Sequence, residues 1–332
     1  MLPLANELIW VAVVVCFLWH WRINLLVSLG SMTIDEKLRL ASTSLFGLSI
    51  GDAFGETFFG NEDLITKRLI YKELKPGNWN VTDDTVMAIG IHNILAQEGK
   101  IDQQKLATEF ARNYKLDDYR GYGGTAHAIL RAIGEGEDWK TVSSCVFDGM
   151  GSMGNGAAMR AAPLGAYFHD DVETLVAQAR LSAEVTHYNE EAIAGAIAVA
   201  LAASIVIRQP ALTAKEFFDF IIQHTPDSDT RSKIQKAATL PAHYDIRTIV
   251  SILGSGVKML AQDTVPFALW CAAHHLDSFE DAIWTTVNGL GDRDTTCAIV
   301  GSIVVLSAGT EHIPQEWIDQ TEDYRSTLFF NI

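Results

Sequence analysis

Two short runs in this chain concentrate oxygen donors: Thr82-Asp83-Asp84-Thr85, and Asp292-Arg293-Asp294-Thr295-Thr296. Each stands where a helix is predicted to begin, and a single Thr or Asp is enough to cap the free N–H groups there. Two adjacent carboxylates flanked by two hydroxyls exceed what a cap requires, and their repulsion is costly unless a cation neutralises it. Neighbouring side chains on a helix diverge by about 100°, so Asp83 and Asp84 would reach two ions rather than chelate one. In an extended Asp-x-Asp segment the carboxylates of Asp292 and Asp294 would point the same way. Such a pair suits a hard cation with oxygen ligands, and Arg293 would face away. Taken singly, each run reads more simply as a cap. Taken together, two such helix starts in one acidic chain are better explained by convergence on one binuclear site.

Between them lies a glycine-rich run, Gly151-Ser152-Met153-Gly154-Asn155-Gly156-Ala157-Ala158-Met159-Arg160. Its glycines allow close backbone approach, and the helix start that follows offers N–H groups to a phosphate. Such turns are common, so the signal is weak by itself. Thr186-His187 places an imidazole beside a hydroxyl, although a lone His is more often structural than functional.

The rest of the chain must position these groups. Its 332 residues are 48% hydrophobic and 20% charged, enough for a sizeable core and unlike a disordered chain. The net charge of −16, with no basic run or stripe, argues against nucleic-acid binding. An acidic protein can still hold a phosphate through a cation, a helix N-terminus or a few basic side chains. Cys16, Cys145, Cys271 and Cys297 show no zinc-ligand spacing and no disulfide framework, which fits a reducing, cytoplasmic setting.

Helical periodicity runs almost throughout from Thr33. Helices are predicted over 34–50, 82–97, 103–114, 125–133, 171–185, 190–207, 213–222, 229–238, 257–274, 279–288 and 295–308. Strand-like alternation is missing, the glycine-rich breaks fall between helices, and no Pro/Ser-rich linker divides the chain. One all-α domain spanning 32–332 is the simplest organisation.

Residues 1–31 are a separate problem. Leu8 to Trp21 form a nearly unbroken apolar run, and residues 8–29 are long enough to cross a bilayer. Two readings stand. The segment is a single-span membrane anchor, with Arg22, Lys37 and Arg39 placing the domain in the cytoplasm, or translation starts at Met32. A secretory signal fits less well, because no basic stretch precedes the run and no A-x-A-like site follows it.

The order of motifs carries more than any one of them. GLSIGDAFGE (Gly47–Glu56), TDDT, GYGGT (Gly121–Thr125), GNGAAMRAAPLG, TH and GDRDTTCAIVG together resemble the ADP-ribosylglycohydrolase family, over about residues 35–310. The TDDT and GxDxDT pair is the specific part. The resemblance implies a compact orthogonal multi-helix bundle with two magnesium or manganese ions. Thr82, Asp83 and Asp84 would bind them from one side, and Asp292, Asp294 and Thr295 from the other. Gly123, Ser152, Met153, Gly154, Asn155, Gly156 and His187 would line an ADP-ribose cleft. The reaction it implies is hydrolysis at C1″ of an ADP-ribosylated protein or small molecule, releasing ADP-ribose. Family members often carry a Glu eight residues after the glycine of the GDA motif, where this chain has Phe59. Glu56, one turn earlier if the helix continues, is the substitute candidate beside Asp84 for a catalytic role. A catalytically silent ADP-ribose-binding protein of the same fold is the alternative.

Overall fold

The computed structural model describes residues 32–209 and 211–330, so the apolar run of residues 8–29 lies outside the described part. Among the described residues there are sixteen α-helices and no strand, only two isolated bridges, which bears out the all-α expectation. In chain order they are α1 Ile34–Glu56, α2 Glu62–Tyr71, α3 Asp83–Glu98, α4 Gln103–Leu116, α5 Gly124–Gly134, α6 Trp139–Cys145, α7 Ala162–Tyr167 and α8 Val172–Glu184. There follow α9 Glu190–Arg208, α10 Ala214–His224, α11 Asp229–Ala237, α12 Ile246–Leu253, α13 Ala261–Ala273, α14 Phe279–Val287, α15 Arg293–Ala308 and α16 Gln315–Gln320.

The hub is α9. Its sequence, EEAIAGAIAVALAASIVIR, is apolar all round, the pattern of a helix surrounded on every side. Helices α7, α8, α10, α13 and α15 pack against it, and every residue from Ala192 to Val206 is buried. Length and hydropathy alone would let α9 cross a membrane, but 83% of its apolar window is buried within the protein. Its apolarity is thus accounted for by the core.

Helix α1 runs to Glu56, six residues past its predicted end, and the reason is its glycine spacing. Gly47, Gly51 and Gly55 lie four apart and face Gly301, Cys297 and Arg293 of α15, also four apart. A Cβ at these glycines would stand 2.4, 2.1 and 2.3 Å from the facing carbonyl oxygens, so only glycine allows the crossing. These glycines therefore serve helix packing. The same crossing carries the last turn of α1 to the first turn of α15.

An aromatic cluster fixes that end of α1. Phe54 stacks on Trp317 at 4.3 Å between ring centres and meets the edges of Trp284 at 5.0 Å and Trp79 at 5.7 Å. On the neighbouring side, Leu45, Leu48, Val86, Ile89 and Ala298 form a second cluster under Tyr324 and Phe329. Helix α13 begins at Ala261 rather than at Val257, because residues 256–260 pair with the glycine-rich turn instead. Asn155 N donates to Met259 O at 3.1 Å, and Ala261 N donates to Met153 O at 3.0 Å.

Candidate active site

The first acid cluster sits at the start of α3. Thr82 is its N-cap, with Oγ1 accepting from the Asp84 amide at 3.3 Å. The cap is itself braced by Asp52 of α1. Asp52 accepts from Thr82 N at 2.9 Å, from Thr82 Oγ1 at 2.8 Å, from Thr85 N at 3.2 Å and from Thr85 Oγ1 at 2.5 Å. Burial raises the Asp52 carboxyl to about 7 despite those donors, and the charge of Asp294 adds to the rise.

The second cluster is set by the turn before α15. Gly291 lies against Ser255, where a Cβ would fall 1.9 Å from the carbonyl oxygen, and Asp292 N donates to Ser255 O at 3.0 Å. The Asp-x-Asp segment is not extended as the spacing suggested. Asp292 occupies the N-cap position of α15, while Arg293 and Asp294 are already in its first turn. Arg293 does turn away from the acids. Its guanidinium donates to Phe58 O at 2.5 Å and to Leu290 O at 3.2 Å, and lies 5.0 Å from the centre of the Phe59 ring.

The two helix starts meet. Thr295 Oγ1 donates to Asp84 Oδ2 at 3.3 Å, and Thr82 Oγ1 lies 3.1 Å from the same oxygen. Burial, and next the charge of Asp294, push the Asp83 and Asp84 carboxyls well above their usual range. The same two causes raise Asp292 to about 8, with the Asn155 amide partly offsetting them. Carboxylates held this close and this dry remain charged only beside positive charge. Asp84 Oδ1 is buried and has no hydrogen-bond partner. Among the described residues, no three carboxylate, imidazole or thiol side chains stand ready around a single ion. A cation held here would have to draw on the Thr82 and Thr295 hydroxyls and on water besides the carboxylates. That composition suits magnesium, which typically takes one or two carboxylates and keeps several waters.

Asp83, Asp292, Asp294 and Thr295 form one end of a cavity of about 490 Å³, and Asp84 and Thr82 lie buried outside its lining. The run Ser152–Gly156, His187, Gly121, Gly123 and Gly124 line the same cavity, with Gly121 against Asp83. All the predicted cleft residues thus share one cavity. Asn155 joins the turn to the second acid cluster, donating through Nδ2 to Asp292 Oδ2 at 2.6 Å and to Thr264 Oγ1 at 3.0 Å. Gly154 and Gly156 let the imidazole come close, since a Cβ on either would stand 3.2 or 3.1 Å from His187 Nε2.

Glu56 is placed differently. It ends α1 on an exposed edge outside the cavity lining, although desolvation and the nearby Asp294 charge raise its carboxyl. Because α1 stops there, Phe59 is not on a continuing helix and the same-face comparison with Glu56 does not apply. Asp117, one of the acids nearest the Gly121–Thr125 turn, is engaged by Arg120 at 2.7 Å. Arg120 also pairs with Glu322 at 2.6 Å, and its carbonyl receives the Asp83 amide at 2.6 Å.

Two residues escaped sequence reasoning. Asp52 is a lone acid inside an apolar helix, and that unpaired polarity was the available signal. Arg160 is fully buried behind the cleft, and only its place at the end of the glycine-rich run marked it.

The sequence profile of the ADP-ribosylglycohydrolase family matches residues 34–329. An ADP-ribosylhydrolase ARH3 of Xenopus tropicalis is 28% identical, over 85% of this chain and 91% of that protein. The Homo sapiens protein of the same name is 26% identical, over 85% and 89%. An ADP-ribosylarginine hydrolase, Tri1 of Serratia proteamaculans, is 24% identical, over 86% and 76%. A solved structure titled ADP-ribosylglycohydrolase-related protein complex has the same fold. Its TM-score is 0.62 at 22% identity, over 87% of this chain and 94% of that one. The matched profile spans almost every described residue and both acidic helix starts, and the chain belongs to the ADP-ribosylglycohydrolase family.

Proposed function

We propose that this protein is a hydrolase dependent on two divalent cations, magnesium or manganese, that cleaves the C1″ glycosidic bond of an ADP-ribosylated protein or small molecule and releases ADP-ribose. The observation that carries this reading is the meeting of the α3 and α15 starts at a cavity that a glycine-rich turn also lines. The names of its relatives, ADP-ribosylhydrolase and ADP-ribosylarginine hydrolase, agree with it.

Thr82, Asp83 and Asp84 would hold cations from one side, and Asp292, Asp294 and Thr295 from the other. The partnerless Asp84 Oδ1 and the all-oxygen donor set support this. Bound there, the ions would supply Lewis acidity toward ribose hydroxyl and water oxygens. The chain's own groups do the rest. Positive charge builds at C1″ as the acceptor departs, and Asp83 and Asp294 stand at the cavity end where it would develop. The Ser152–Gly156 turn and the His187 ring line the same cavity and would hold the diphosphate, although the Gly154 and Asn155 amides are already engaged by Ser152 Oγ and Met259 O. Asp84, or Glu56 on the exposed edge outside the cavity lining, would take the proton of the attacking water.

The test is release of free ADP-ribose from arginine-, serine- and nucleobase-linked substrates, with magnesium or with chelator. The reading predicts metal-dependent release from at least one linkage. Intact substrate in every case, with metal binding measured in parallel, would overturn it. Phe59, packed on Arg293 where relatives often carry a Glu, favours one second reading, a silent ADP-ribose-binding protein. Calorimetric binding of ADP-ribose without turnover would select it.

A further inference from the structure

Arg160 is buried completely and has no carboxylate in contact, an expensive arrangement for a guanidinium. Its partners are neutral. Nη2 donates to Ser182 O at 3.1 Å and to Thr186 Oγ1 at 2.9 Å, Nη1 reaches Met87 Sδ at 3.4 Å, and the Phe110 ring lies 4.5 Å away. Burial lowers the guanidinium to about 9, still charged at neutral pH, with Asp83 and Tyr122 counteracting. The chain gains little stability from such a group, so its position calls for another explanation.

That explanation is a matter of donor counting. A guanidinium only donates, so Thr186 Oγ1 must accept from Arg160. The hydroxyl has one proton, and its other partner is His187 Nδ1 at 2.7 Å. The oxygen could accept from Nδ1–H as well, but its own proton would then have no acceptor among the described residues, so the proton points at Nδ1 and the ring proton is left on Nε2. Nε2 faces the cavity beside Gly154 and Gly156 and has no acceptor among the described residues. Burial of the ring, and then the Arg160 charge, hold the imidazole down to about 3, so it stays neutral at working pH.

We propose that Arg160 and Thr186 form a buried relay that fixes His187 as its Nε2–H tautomer, presenting a neutral hydrogen-bond donor to an anionic oxygen of the ligand. Arg160, which lies outside the cavity lining, and Thr186, which borders it, are positioning residues that act through the His187 ring. The ligand's identity as ADP-ribose rests on the proposed function, whereas the tautomer does not.

The experiment is a long-range proton–nitrogen correlation spectrum of the histidine-labelled protein, with the His187 signals assigned by their loss in His187→Gln. The relay predicts the Nε2–H tautomer with and without ADP-ribose, its retention in Thr186→Ser, and a mixed or Nδ1–H ring in Thr186→Val. It also predicts ADP-ribose affinity weakened about tenfold in Thr186→Val, the scale of one hydrogen bond to a charged group, and restored in Thr186→Ser. An Nδ1–H ring in the parent protein, or an unchanged tautomer in Thr186→Val, would overturn the relay. Absence of ADP-ribose binding with the Nε2–H ring in place would overturn the functional reading while supporting the relay.

Discussion

Gly51 on α1 lies against Cys297 on α15 so closely that a single added methyl would reach 2.1 Å from the Cys297 carbonyl oxygen. This contact sets the distance between the helix that carries Asp52 and the helix that begins at the second acid cluster. Gly51→Ala is expected to cost about 3 kcal/mol, the upper end for forcing a methyl into a filled interface. It should also lower activity beyond the loss of folded protein, because the two helix starts move apart. Denaturant unfolding and specific activity of the folded fraction check this; a fully active variant of parental stability would contradict it.

Asp84→Ala and Asp294→Ala should each reduce turnover by about a hundredfold or more, the usual scale for losing a group that acts on charge in the transition state. Both should also weaken stabilisation by magnesium. In the parent protein magnesium should raise the melting temperature and chelator should reverse it, since a cation binding only the folded state favours it by mass action. Thermal shift with and without metal reads this directly.

Asp52 touches no part of the cavity lining, yet it accepts four hydrogen bonds from Thr82 and Thr85. Asp52→Ala leaves those donors buried, at roughly 1–3 kcal/mol for each that finds no other partner. Activity should fall with the fold largely kept, and the concentration of magnesium giving half-maximal rate should rise. An unchanged magnesium requirement would show that the brace does not align the first cluster.

His92 gives the protein an acid-sensitive element. The ring is buried with Nε2 2.7 Å from Ser42 Oγ, and burial lowers it to about 4 from an ordinary 6.5. In that window the unfolded chain binds the proton that the folded chain refuses, so stability is present above pH 6.5 and is lost as pH falls toward 4. The contribution is at most about 3 kcal/mol. His92→Gln should flatten this part of the curve: the gap in melting temperature between parent and variant should shift in the variant's favour from pH 7 to pH 4.5.

The meeting of the two acid clusters was readable because Asp83, Asp84, Asp292 and Asp294 exceed what caps require, and the longer helices were readable because their apolar periodicity is strong. Local errors arose where long-range packing decided. The helix predicted over 34–50 continues to Glu56 because Gly51 and Gly55 pack against α15, a contact distant in the chain. Asp292 and Asp294 looked extended because the Ser255 contact that starts the helix at Arg293 is invisible locally. The helices α2, α6, α7, α12 and α16 went unseen, although α11 and α14, no longer than α2, were read. Asp52 and Arg160 gain their meaning only from partners distant in the chain.

The single carboxamide of Asn155 links the loop that would hold the diphosphate to the carboxylate of Asp292. An ion claiming that carboxylate would compete with the amide, and a nucleotide shifting the loop would alter the charge the ion encounters. Each occupant would then set the other's affinity by the same factor in both directions. A substitution chosen to tighten the grip on one would change the hold on the other.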